Sequence, residues 1–163
     1  MERKVKYKLK YKVKHEIKPK TGLTLIELMV VLVIISVLAA LAWPTFQYAV
    51  IKAKRAQAQA ALLQLMQQQE RYYTQHNTYI TFSSPSADAG QFKWWSGDTA
   101  AQSAYEIQAI ACPGLSITQC VRLTAVPGTD RVDRHFKDAH CESLSVDSSG
   151  QRRVSGTALG CWP

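Results

Sequence analysis

Four cysteines are the residues whose type and spacing most directly suggest chemistry. Cys112, Cys120, Cys141 and Cys161 all lie in the C-terminal third of a chain of 163 residues. An even count in a small domain behind an apolar segment points to two disulfides made in an oxidising compartment. Reduced, buried thiols and a zinc site are the alternatives. No Cys-x-x-Cys pair occurs and the gaps do not match the usual ligand pairs, although His135 and His140 could add nitrogen ligands. Catalysis finds less support. "DRHFKDAHCES" is polar, but the chain has no Gly-x-Ser-x-Gly, His-Glu-x-x-His or glycine-rich phosphate loop. The sequence therefore argues against an enzyme and against a resident metal or cofactor.

Glu27 is the other residue that stands out, because it lies among leucines, isoleucines and valines in "TGLTLIELMVVLVIISVLAALAWP". A carboxylate in such a setting costs several kcal/mol unless it is paired or near an interface, and is functional by default. The 21 residues from Leu23 to Trp43 are nearly all apolar. As a helix they span roughly 31 Å, enough to cross a bilayer. The preceding residues 1–22 hold nine Lys/Arg and two Glu, and so carry +7 of the net charge of +8. That one-sided basic flank places the N-terminus in the cytoplasm. A cleaved secretory signal, a simple signal anchor and a buried core helix are the competing readings, and none of them accounts for Glu27 or the Gly22 boundary.

After Pro44 the residues up to His76 are rich in Ala, Gln and Leu and contain no glycine or further proline. Pro44 is expected to kink a helix of roughly 50 residues without ending it. Ala49, Ala53, Ala56, Ala60 and Leu63 recur at three- and four-residue steps, as a stripe packed on a core would. Leu62, Met66, Gln69 and Tyr73 continue the pattern on a neighbouring face. Residues 77–104 carry Pro, Gly and Ser punctuation and read as a long connection. "SAYEIQAIA", "CVRLTAVP", "ESLSVDSSG" and "QRRVSGTA" read as four short antiparallel strands, with a hairpin turn at "DSSGQ". The fold class is α+β: a long N-terminal helix, membrane-spanning in its first half, packed on a small antiparallel sheet. The divisions expected are a basic leader over 1–22, an apolar helix over 23–43, an amphipathic half over 44–76, and a disulfide-stapled sheet region over 77–163.

"Gly22-Leu-Thr-Leu-Ile-Glu27" resembles the processing site of type IV prepilins and of type II secretion pseudopilins. The resemblance implies that a peptidase cuts between Gly22 and Leu23 and methylates the new amine of Leu23. Pro44 falls where pilins commonly have a kinking proline. A positive amine made one turn from Glu27 could pair with its carboxylate, within the chain or on a neighbour. At low effective dielectric that attraction is several kcal/mol, against about 1 kcal/mol in water. Glu27 would then set the register in which apolar helices pack side by side in assembly.

Further along, "QERYYTQHNTY", "YEIQA" and the ending "CESLSVDSSGQRRVSGTALGCWP" resemble the minor type IV pilins of the PilE group. That resemblance implies a bridge between Cys141 and Cys161, the cysteine of a terminal Cys-Trp. Cys112 and Cys120 have no counterpart in the pattern, and a local bridge closing "CPGLSITQC" is the simplest pairing. Leu23 stands where the family usually has phenylalanine, and Ser36 where many members have glycine. The implied role is a structural minor pilin that supports pilus assembly, adhesion and twitching motility. Its partners would be other pilins, the prepilin peptidase and the inner-membrane assembly platform. It would sit in the inner membrane, C-terminal domain in the periplasm, before entering an extracellular pilus.

Two other functions compete. A pseudopilin shares the N-terminal logic, but the terminal Cys-Trp favours the pilus. A DNA-binding or adhesin pilin is the second, with Arg122, Arg131, Arg134, Lys137, Arg152 and Arg153 as a cationic stripe. Asp130, Asp133 and Asp138 interleave with those cations, so the sequence favours a solvated mixed-charge face and ranks nucleic acid as an unlikely partner.

Overall fold

The computed structural model describes residues 22–84 and 90–162; all but the last residue of the leader expected over 1–22 lies outside them. One helix, α1, runs Leu25–His76 with Pro44 inside it. Thr24 starts it: the Glu27 backbone N–H donates to Thr24 Oγ1 at 3.3 Å and to the Thr24 carbonyl at 3.1 Å. The threonine thereby satisfies one of the donors that a helix start leaves open. Asn77 ends α1 in the left-handed region (φ 54°), its N–H donating to the Tyr73 carbonyl at 2.8 Å.

The chain divides into two compact units, residues 1–41 and 42–163. In the first, the described residues are apolar helix whose side chains are exposed along its whole length. Among the described residues α1 alone is long and apolar enough to cross a membrane.

The second unit holds a four-stranded antiparallel sheet in the order β1-β2-β3-β4: β1 Tyr105–Ala111, β2 Val121–Pro127, β3 Leu144–Asp147 and β4 Arg152–Val154. Alternation decides which face is buried. Tyr105, Ile107 and Ala109 of β1, Val121, Leu123 and Ala125 of β2, and Leu144 and Val146 of β3 join Ala58, Leu62 and Leu65 of α1 in one core. Each fully buried large side chain in it stabilises by roughly 1.5–3 kcal/mol.

Two features depart from expectation. The helix face in the core is Arg55, Ala58, Leu62, Leu65 and Gln69, while Ala49, Ala53, Ala56, Ala60 and Leu63 are exposed. Alanine has little area to bury; the inner face is instead the neighbouring one of Leu62 and Gln69, with Met66 and Tyr73 packed against the core. The Gln69 amide takes up that polarity: it donates to the Ile80 carbonyl at 2.8 Å and accepts from the Ile80 N–H at 3.0 Å. The stretch read as a long connection also pairs with the sheet, through bridges Phe82–Ala109 and Trp95–Glu106 along β1. That covers an edge that would otherwise offer unpaired backbone groups.

Candidate functional site

The structure joins Cys112 to Cys120 and Cys141 to Cys161. The first bridge closes the β1–β2 connection, where Gly114 (φ 76°) lets Leu115 N–H reach the Cys112 carbonyl at 3.0 Å. Ser116 accepts from the Cys120 N–H at 3.1 Å, so the loop is braced internally. The second bridge holds the C-terminus, where Gln59 of α1 donates to the Cys161 carbonyl. Trp162 lies under the Arg152 guanidinium, 5.2 Å from its ring centre, and donates to the Arg153 carbonyl at 3.2 Å.

Between the β1–β2 loop and the β3–β4 turn lies an open groove of about 570 Å³. Arg122, Arg153 and Asp147 line it, with Ser148, Ser149, Gln119 and Leu115. Asp147 shapes the turn beneath them. Its Oδ1 accepts from the backbone N–H of Ser149 and of Gln151, each at 3.1 Å, and from the Ser149 hydroxyl. Gly150 provides the positive φ (82°) that the turn needs. Burial works against ionising Asp147, but these hydrogen bonds and the Arg122 charge, 3.9 Å away, hold its pKa below the ordinary value. Asp147 therefore stays ionised and offsets part of the cationic charge, and the groove presents two guanidinium groups against one carboxylate, with hydroxyl and amide groups beside them. Such groups suit phosphate and base-edge contacts.

The cationic stripe expected from the sequence is divided in two. Arg122 pairs in register with Asp147 at one end of β2, whereas the segment carrying Arg131, Arg134 and Lys137 follows Pro127 at the other, about 17 Å along the strand. The three aspartates also differ. Asp138 is buried and accepts from Arg55 Nε and Nη2, both at 2.7 Å, and from the Tyr105 hydroxyl at 2.6 Å. Asp133 caps the His135 N–H at 3.0 Å, and Asp130 is exposed. Desolvation would raise the Asp138 pKa, yet the bonds from Arg55, Tyr105 and the Cys141 N–H lower it overall. The same pair raises Arg55, and burial pushes Tyr105 up. The mixed-charge face thus contains a salt bridge facing inward, which linear order could not reveal across 83 residues.

His135 and His140 are exposed, His140 edge-on to Tyr48 at 6.5 Å, and no His/Cys/Asp/Glu group suited to a metal occurs among the described residues. Gly22, Leu23 and Glu27 are exposed at the start of α1.

Residues 44–145 match the family model described as type IV minor pilin ComP, DNA uptake sequence receptor. The chain belongs to this family of type IV minor pilins. Residues 17–43 of the pilin match a prokaryotic N-terminal methylation motif. Among solved structures it is similar to a type IV pilin from Shewanella oneidensis, at 25% identity over 69% of this chain and 98% of that one, TM-score 0.43. It is also similar to the non-core minor pilin PilV of Neisseria meningitidis, at 18% identity over 69% and 94%, TM-score 0.46. No curated protein sequence matches it. The matching minor-pilin model is that of ComP and does not single out the PilE group that the sequence resembles.

Proposed function

We propose that this minor pilin is a membrane-anchored precursor that enters a type IV pilus and there offers its groove to duplex DNA. In this reading the leader is removed between Gly22 and Leu23, and the amine of Leu23 is methylated. The apolar helix holds the chain in the inner membrane, with its C-terminal domain in the periplasm, until assembly with other pilins. Adhesion and twitching belong to the pilus as a whole; the groove is what this subunit adds.

The observation that carries the reading is the placement of Arg122 and Arg153 between two braced loops, two guanidinium groups against the single carboxylate of Asp147 that the turn holds by hydrogen bonds. A family described by its DNA uptake sequence receptor supports DNA over the solvated face that the sequence favours. Phosphate contacts would supply most of the affinity and make it steeply salt-dependent. Fluorescence anisotropy of labelled duplexes against salt tests this. Arg122→Ala and Arg153→Ala should each weaken binding and lower the log–log salt slope by about one. Absence of duplex binding at low salt, or binding indifferent to both substitutions, would overturn the DNA reading.

A further inference from the structure

The cations placed away from the groove lie beside a second, different surface. Trp43, Phe46 and Tyr48 are 66%, 64% and 54% exposed, unusual for large aromatic side chains. Trp43, Phe46, Val50 and Ile51 line one helix face of a groove of about 360 Å³, and His135, Phe136 and Lys137 of the β2–β3 connection form its other wall. The wall is fixed to the helix and to β1: Asp138 is clamped by Arg55, and Phe136 packs on Tyr105 with ring centres 5.3 Å apart. The floor is apolar apart from Gln47, Lys137 lines it and is exposed, Arg134 is exposed one residue before the wall residue His135, and no carboxylate lines it.

An apolar floor with a cationic rim matches an amphiphile carrying negative headgroups. The position along the chain agrees. The run of 21 apolar residues from Leu23 ends at Trp43, the first residue of the groove. From Trp43 to Ile51 the helix rises about 12 Å, which covers a headgroup layer of about 5–8 Å per leaflet. Aromatic side chains concentrate at this depth, and basic ones are drawn to anionic lipid. We propose that this groove seats the globular region on the anionic headgroup layer of its own membrane before assembly. Trp43 and Phe46 rest at the acyl boundary, and Lys137 and Arg134 meet lipid phosphates. The inference rests on the membrane-anchored reading above. A second copy of the chain is the competing occupant, but a patch with a basic rim and no carboxylate in its lining does not complement itself.

The test places the full-length chain in nanodiscs, one chain per disc, made of phosphatidylcholine alone or rich in phosphatidylglycerol. Amide hydrogen exchange of residues 134–138 should slow several-fold in the anionic discs. It should return to the phosphatidylcholine rate in high salt and in the double variant Arg134→Glu/Lys137→Glu, both exposed positions whose change leaves the core untouched. Equal exchange in the two disc types, with the chain still co-eluting with the discs, overturns the docking and leaves the anchor standing. Slowing that appears only with two chains per disc assigns the surface to a second copy and also overturns it. Failure to co-elute removes the membrane reading and this inference together.

Discussion

Arg55 on the second half of α1 and Asp138 in the β2–β3 connection form a buried pair through two hydrogen bonds of 2.7 Å. Asp138 also accepts from Tyr105 and from the Cys141 N–H at 3.2 Å, next to a disulfide. One carboxylate therefore ties the helix, β1, the connection and the C-terminal bridge together. Removing it leaves a guanidinium and a hydroxyl buried without their acceptor. Asp138→Ala should cost about 3–5 kcal/mol, the range for breaking one side of a buried ion pair. The double variant Arg55→Met/Asp138→Leu should lose less than the sum of its single variants, because neither charge is stranded. Urea unfolding followed by near-UV circular dichroism measures both, and additive losses would mean that the pair is not coupled.

The pH dependence has a definite sign. Asp138 and Asp147 are both held below their unfolded pKa. Such groups contribute their stability in full above the unfolded value of about 3.9 and lose it as pH falls through the folded one. The urea midpoint should change little from these groups between neutrality and about pH 5, then fall below about pH 4. Asp138→Asn should flatten that acid limb as well as lower the whole curve. An unchanged limb would place the acid sensitivity elsewhere.

Gly128 combines two demands at the entry to the same connection. Its φ is 63°, and a Cβ built there would lie 2.2 Å from the Phe136 carbonyl oxygen. Gly128→Ala must therefore move backbone, at a cost of at least about 1–3 kcal/mol. Since Phe136 packs on Tyr105, the near-UV signal of the tyrosines should change with stability. A variant as stable as the parent would show that the connection yields freely.

Much of the fold is legible in the sequence because it depends on local periodicity. The four strands announce themselves by alternation, and "DSSGQ" by turn chemistry. The helix reads through Pro44 because strong helix formers flank it on both sides. What resists reading is long-range polarity. Arg55 looks like a solvent-facing residue until its partner, Asp138, is in place, and the Ile80 backbone that takes up the Gln69 amide is equally hidden. The alanine stripe misleads for the converse reason, since its small side chains repeat at helical steps without being buried. The groove is also hidden, because Arg122 and Arg153 become neighbours only through β2–β3–β4 pairing. Gly150 and Asp147 are legible as a turn, but the hydrogen bonds that fix the Asp147 carboxylate beside Arg122 are not.

Gly22 offers a test of processing that is independent of folding. A Cβ at this position meets no atom within 4 Å, so the fold itself places no steric demand for glycine here. If glycine is required, the requirement comes from another protein, as cleavage between Gly22 and Leu23 implies. Gly22→Val should leave the globular region folded while an uncut membrane form accumulates, longer than the mature chain by the 22-residue leader. Intact-mass measurement of the membrane fraction decides. Normal maturation of the variant would remove Gly22 from the processing site.

Glu27 is the residue at which maturation and assembly would meet, and its local setting supplies a control. Its backbone N–H is capped by Thr24, and an acidic side chain in a first turn also complements the helix dipole. A purely local role of this kind would be largely preserved by residues that keep the helix. Registration of neighbouring helices demands more. Apolar side chains bury similar area in many registers, whereas one carboxylate facing one new amine favours a single register and penalises the rest. Glu27→Val and Glu27→Gln should therefore both be cut and inserted normally, since neither adds a polar burden to the apolar segment. Both should be depleted from pili, because glutamine keeps the shape and hydrogen-bonding capacity but not the charge. The ratio of subunit in sheared pili to subunit in membranes separates the two roles. Full incorporation of Glu27→Gln would reduce the residue to a helix-start device, and equal incorporation of Glu27→Val would remove it from assembly altogether.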